Sequence, residues 1–289
     1  MVVATELLQE TASIIADYRA GEIAPPDAAH VGRWLSQFDE AYQAPVITEL
    51  NHVLKTTYVT KARTETFLSG LVSNKKLAGD NPKDFWRNVK FLDVQKRGRS
   101  QAEFLKLFAI PLKNETGLDL ANCGGQPACY VYLDDGIFTG MTLIQSLSDW
   151  VKTEAPQNAL LHVIVIAGHV GGAHYAETKL QEAAKAAAKT VQFHWWALLP
   201  LEDRKVNINT SDVLRPVVIP NDQRSQAYAA SLRFPPVLRV AGNVGTHKIF
   251  SSEEGRNVLE QQFLIKGAYI KEVAPKLPRY ARPLGRHGP

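Results

Sequence analysis

The chain has 289 residues and a mass of 32.0 kDa, enough for one large domain or two modest ones. With 45% hydrophobic and 21% charged residues, it does not belong to the disordered class. A net charge of +4, from 33 basic against 29 acidic residues, is too small a surplus to argue for nucleic-acid binding by itself. No apolar run approaches the ~18 residues that a membrane helix needs. The opening MVVATELLQE has neither a basic region nor a small-residue cleavage site, so no secretory signal is expected and a cytoplasmic location is. Cys123 and Cys129 stand in CGGQPAC, a spacing that fits neither a CxxC redox pair nor a zinc knuckle, and two reduced thiols are expected.

In chain order, helices come first. Leu7, Leu8, Ile14 and Ile15 recur at helical spacing up to Gly21, and Pro25-Pro26-Asp27 reads as a turn and a helix start. Val31, Trp34, Leu35 and Phe38 mark the next helix, Ile47, Leu50, Val53 and Leu54 a third, and Phe67, Leu68, Leu71 and Val72 a fourth. Their basic residues are scattered, which favours packing or partner contact over DNA reading. The pattern changes after Asn81-Pro82. Residues 89–94, 128–133, 160–167, 191–199 and 213–219 read as strands, with helices after residue 100, over 143–151 and over 173–189. Strands alternating with helices predict an α/β fold with a doubly wound, mostly parallel sheet. Ser251-x-x-Glu254 has the form of a capping box before a helix over 257–265. The expected division is a helical region over 1–80 and an α/β domain over 81–289.

The segment richest in chemistry is Tyr130-Val131-Tyr132-Leu133-Asp134-Asp135-Gly136-Ile137-Phe138-Thr139-Gly140-Met141-Thr142. A hydrophobic strand ends in two carboxylates, then a short loop gives Thr-Gly-x-Thr and a helix. Ligands of open α/β sheets bind beyond the carboxyl ends of the strands. Residues 139–142 would set backbone N–H groups and two hydroxyls at a helix N-terminus, which suits a phosphate dianion. Asp134 and Asp135 would accept hydrogen bonds from a pair of sugar hydroxyls, directly or through a metal ion. Lys96-Arg97-Gly98-Arg99-Ser100, between the first strand and its helix, puts three cations around a glycine, a composition suited to a diphosphate or to a solvated turn. Gly168-His169-Val170-Gly171-Gly172 reads as a tight turn or a ligand loop, and His174 and His194 as ordinary core or surface histidines.

The strand, acidic pair and Thr-Gly-x-Thr loop resemble the PRPP-binding motif of the type I phosphoribosyltransferases. That resemblance implies that Asp134 and Asp135 are the catalytic and Mg²⁺-holding pair, and that Gly136, Thr139, Gly140, Met141 and Thr142 bind the substrate. It implies that Lys96, Arg97, Gly98, Arg99 and Ser100 take pyrophosphate, and that the glycine cluster at 168–172 lies near the base. The chain as a whole resembles the PRTase-CE group of phosphoribosyltransferase-like proteins of bacterial conflict systems. Trp34-Leu35-Ser36-Gln37-Phe38, the basic loop, and Ser252-Glu253-Glu254-Gly255-Arg256 with Gly267-Ala268-Tyr269-Ile270 and Arg282-Pro283-Leu284-Gly285 carry this closer match. It implies a toxin-like anti-phage effector beside a retron reverse transcriptase, held in check by that enzyme and its RNA–DNA hybrid, with a winged-helix companion among the partners. Two departures bear on activity. Phe138 stands where 6-oxopurine enzymes carry a base-serving carboxylate. Only thirty-six residues separate Gly98 from Asp134, too few for the usual further strand and long flap. A flap that excludes water favours transfer over hydrolysis, so a shortened one leaves hydrolysis or mere binding more open. Glycosyl transfer, N-glycosidic hydrolysis, a non-catalytic nucleotide sensor or scaffold, and a conventional salvage enzyme therefore stay open, as does the oligomeric state.

Overall fold

A computed structural model describes residues 5–95, 100–240 and 243–274. In chain order the elements are α1 (Thr5–Ile14), α2 (Ala28–Leu35), α3 (Glu40–Thr57), α4 (Lys61–Val72), α5 (Lys75–Ala78), α6 (Pro82–Arg87), β1 (Val89–Phe91), α7 (Ser100–Thr116), β2 (Cys129–Ile137), α8 (Met141–Asp149), β3 (Asn158–His169), α9 (Val170–Ala186), β4 (Thr190–Leu201), α10 (Gln223–Ala230) and α11 (Glu253–Val273). The chain forms two compact units, Val59–Asp203 and a second made of Met1–Tyr58 with Arg204–Pro289. The change of pattern near residue 80 is thus a change from helix to strand inside the first of these units, whereas packing divides the chain at residues 58 and 203.

Unit 59–203 is built on a four-stranded, all-parallel sheet in the order β1-β2-β3-β4. Alternation along β2 sends Tyr130 and Tyr132 to one face and Cys129, Val131 and Leu133 to the other. Both faces are buried, which is why β2 and β3 read as nearly unbroken apolar runs. On the tyrosine face lie α8 and α9. Leu143 and Leu147 of α8 and Ala176, Leu180 and Ala184 of α9, at i, i+4 and i+8, pack against Leu161, Val163 and Phe193. On the other face lies α7, with Phe108 and Leu112 packed on Val131, Leu133, Ile164 and Trp86. The expected α/β sheet with helices on both faces is therefore present. Strand order advances in one direction while the connecting helix changes face after β2. The β1–β2 crossover thus has the opposite hand to the next two.

The other unit joins the first three helices to the C-terminal part. Trp34 and Phe38 pack with Phe263 of α11, with ring centroids 5.1–6.2 Å apart, which brings together two of the segments singled out in the sequence. Glu49 of α3 is buried, and its carboxylate accepts the Ser251 N–H at 2.8 Å and the Ser251 hydroxyl just before α11. Ser251 is thereby occupied, and the cap of α11 is Ser252, whose hydroxyl accepts the Gly255 N–H. The expected cap lies one residue further on than Ser251. The expected strand at 213–219 is absent. Pro216 and Pro220 interrupt a ladder there, and side chains of α11 satisfy the backbone instead. Glu260 accepts the Arg215 N–H, Arg256 donates to the Val213 carbonyl, and Gln261 donates to the Val218 carbonyl. Around the same helix Arg239, Arg256 and Glu260 form an ion-pair cluster with no exposed side-chain surface.

Candidate functional site

The chain leaves β1 toward α7 on one face and leaves β2 toward α8 on the other. The carboxyl ends of these neighbouring strands therefore border a crevice, the place where open parallel sheets hold their ligands. Residues 92–95 and 100 come to one side of it and residues 134–142 to the other. Lys96, Arg97, Gly98 and Arg99 lie outside the described residues.

The two aspartates differ in surroundings. Asp134 ends the buried run of β2 and is 4% exposed. Its Oδ1 accepts the Ser100 hydroxyl at 2.6 Å and the Asp135 N–H at 2.9 Å, and its Oδ2 accepts the Tyr132 hydroxyl at 2.9 Å. Tyr132 precedes it by two residues and so shares its face of the strand. An acidic pair lying wholly at the solvent is not what the structure has, since Asp134 is enclosed and Asp135 alone is exposed. Although residue 135 as a whole is exposed, its carboxyl is pushed up to about 6, first by desolvation, then by its hydrogen bond to Asp134 and by the charge there. Burial first, and Asp134 second, drives the Tyr132 hydroxyl well above its usual range, so it stays a donor.

Beyond the pair, the loop closes into a pocket of about 90 Å³ lined by Asp134, Gly136, Phe138, Thr139, Gly140 and Thr142. The volume suits a tetrahedral oxyanion and is well below the ~300 Å³ at which pockets for drug-sized ligands begin. Gly140 stands at the N-cap of α8 with φ +75° and offers no side-chain cap, so the helix start is open to an anion. The Met141 N–H lies 3.4 Å from Thr139 Oγ1, and the Met141 side chain is exposed. The loop is clamped from behind by α9. A Cβ on Gly140 would overlap the Gly172 carbonyl, and one on Gly172 would overlap the Phe138 carbonyl.

The glycine cluster at 168–172 is thus largely a packing device. Gly168 and His169 end β3, while residues 170–172 open α9. The Gly171 N–H donates to Asp203 Oδ1 at 2.6 Å, so a carboxylate of the chain itself already serves that helix start. His169 lies 3.5 Å from the same carboxylate and meets the Phe138 ring edge-on at 5.2 Å. A second pocket of about 290 Å³, largely apolar, opens there between Ile137, Val165, His169, Ala173, Trp195 and Pro200.

Some residues of the site were not singled out from the sequence. Tyr132 carried a signal, its even spacing from Asp134. Gln95 and Gln101 carried none, because their pairing depends on a turn. The Val94 and Gln95 N–H groups both donate to Gln101 Oε1, the Gln101 N–H donates to Gln95 Oε1, and Gln95 Nε2 donates to Ser100 Oγ. Ser100 is thereby aimed at Asp134.

Among the described residues no cluster of three or more His, Cys, Asp or Glu could hold a metal, and no helix is long and apolar enough to cross a membrane. Comparison with curated proteins and with solved structures found no match. A family model, PRTase-CE, matches residues 31–288. The match takes in both compact units and every residue of the crevice, and on that extent the chain belongs to the PRTase-CE family.

Proposed function

We propose that this phosphoribosyltransferase-like protein is the effector of a retron-associated anti-phage system, with PRPP or a related ribose phosphate or nucleotide as its ligand. The observation that carries the reading is the pocket of about 90 Å³ at the start of α8, lined by Asp134, Gly136, Thr139, Gly140 and Thr142. Thr139, Thr142 and the open helix start take the 5′-phosphate. Asp135 and Asp134 take the ribose hydroxyls. Lys96, Arg97 and Arg99 oppose the charge of a departing diphosphate as the anomeric carbon becomes oxocarbenium-like. The apolar pocket beside Ile137 has room for a planar base. The donor set fits Mg²⁺, which is commonly bound by one or two carboxylates together with substrate phosphates. Asp135, exposed and carrying a raised carboxyl with no cation against it among the described residues, is the freer ligand, and Asp134 the second. Mg²⁺ there would offset phosphate charge. In the cell, which we take to be cytoplasmic, the activity is toxin-like and is held in check by a reverse transcriptase with its RNA–DNA hybrid, alongside a winged-helix companion.

Incubation with PRPP, and separately with a nucleotide panel, in Mg²⁺ buffer tests the reading. Release of pyrophosphate or of free base is expected. The absence of saturable binding by PRPP, ribose 5-phosphate or any nucleotide would falsify it. Saturable binding without product after long incubation would instead make the protein a nucleotide sensor.

A further inference from the structure

A carboxylate offers about four acceptor positions, two on each oxygen. On Asp134 three are filled by Ser100, the Asp135 N–H and Tyr132, and the fourth faces the raised Asp135 carboxyl. Two of these belong to the framework. The Asp135 N–H is the next backbone group, and Tyr132 is fixed in the face of β2. Ser100 is the removable one, and it is a hydroxyl, the same group that a sugar would present. It is also held in place. Gln95 Nε2 donates to its oxygen at 2.9 Å, which leaves its proton for Asp134. The fastening is itself imperfect. Gln101 is fully buried, its Oε1 serves two backbone N–H groups, and its Nε2 has no acceptor among the described residues. A buried donor left idle disfavours this arrangement relative to one in which the Gln95–Gln101 pairing is released.

The geometry points to Ser100 as a built-in stand-in for a ribose hydroxyl: its side chain occupies the acceptor on Asp134 in the free protein, and a vicinal-diol sugar phosphate must displace it to bind. Resting on the ribose-phosphate reading above, this changes the part expected of Ser100 from a diphosphate contact to a competitor. It explains why the carboxylate nearer the sheet is sealed at 4% exposure although it sits at the ligand crevice. It makes Ser100 and Gln95 positioning residues that set the affinity of the site without touching the bound sugar.

The test uses the full chain and two readouts. Ser100→Ala deletes the competing hydroxyl, Ser100→Thr keeps one, and Gln95→Ala keeps the serine but removes its tether. In ligand-free protein, hydrogen exchange at the Val94 and Gln95 amides should quicken about tenfold in Ser100→Ala, since Gln95 loses its partner. In calorimetry with Mg²⁺ and PRPP, Ser100→Ala should bind about tenfold tighter, the worth of one charge-assisted hydrogen bond. Gln95→Ala should bind moderately tighter, and Ser100→Thr like the wild type. Unchanged exchange overturns the inference whatever the ligand does. Quickened exchange with equal or weaker PRPP binding also overturns it and leaves the ribose-phosphate reading standing. Quickened exchange with no PRPP binding by any of the four proteins sinks that reading, and the competition with it. Should Ser100→Ala fail to fold, Gln95→Ala decides by the same two measurements.

Discussion

Asp135 and His162 respond to pH in opposite senses, and each can be isolated by one substitution. The Asp135 carboxyl is raised from an ordinary 3.8 to about 6, so the folded chain holds its proton more tightly than the unfolded chain does. That contribution to stability is whole below pH ~4 and is lost as pH rises through about 6. Asp135→Asn should therefore raise Tm at pH 7.5, by about 2–3 °C after allowance for solvent screening, and leave it unchanged at pH 4, as calorimetric scans would show. His162 lies on β3 at 3% exposure, accepts the Trp196 indole N–H at 3.1 Å and leaves Nε2 without an acceptor. Burial first, and the neighbouring His194 second, lower its pKa from 6.5 to about 4. Here the unfolded chain binds the proton more readily, so stability falls as pH drops from 6.5 toward 4, by about 2 kcal/mol at pH 5. In His162→Phe the Tm difference between pH 7.5 and pH 5 should shrink, and an undiminished difference would assign the acid sensitivity elsewhere. The place of the aspartates at the end of β2 was legible from residue types and spacing. Their unequal burial was not, because it depends on the Ser100 hydroxyl, which reaches Asp134 from outside the motif, and on Tyr132 bonding Asp134 and not Asp135.

At the level of elements, the phosphate loop depends on a helix that binds no phosphate in this scheme. Gly172→Ala would drive a methyl group into the Phe138 carbonyl, so α9 or the loop must move. A stability loss of about 3 kcal/mol is expected in chemical denaturation, together with weakened PRPP binding. Stability unchanged within error would mean that the two elements are not in contact. Glu49 has a comparable place in the other unit. Glu49→Ala leaves the Ser251 N–H and hydroxyl unserved at the start of α11 and should cost about 2–3 kcal/mol, read from the urea midpoint. The first three helices and the strands at β2, β3 and β4 were readable because each buries a stripe or face with a regular period. The stretch at 213–219 misled for a definite reason. Its Val and Ile residues have strand composition, but the partners of its backbone are Arg256, Glu260 and Gln261, side chains some forty-five residues away that no local pattern reveals. The cap at Ser252 rather than Ser251 is the same case, with Glu49 as the distant partner.

On the scale of the whole molecule, every described residue of the crevice falls within one unit, 59–203. That unit owns its sheet, both helical layers and two hydrophobic clusters on opposite faces. A fragment of residues 59–203 should fold alone, with one cooperative thermal transition and retained PRPP binding. A molten fragment would show that the rest of the chain is needed to complete it. The opposite hand of the first crossover could be read only from which helix covers which face, a property of packing that strand and helix counts do not contain. The other unit is discontinuous in sequence, and this has a consequence for synthesis. Helices α1 to α3 emerge from the ribosome roughly 200 residues ahead of α11, a wait of about 10–40 s at ordinary elongation rates. During that interval the nascent chain can finish unit 59–203 while α3 waits for α11, so a stalled or cleaved product would carry the crevice without its discontinuous companion.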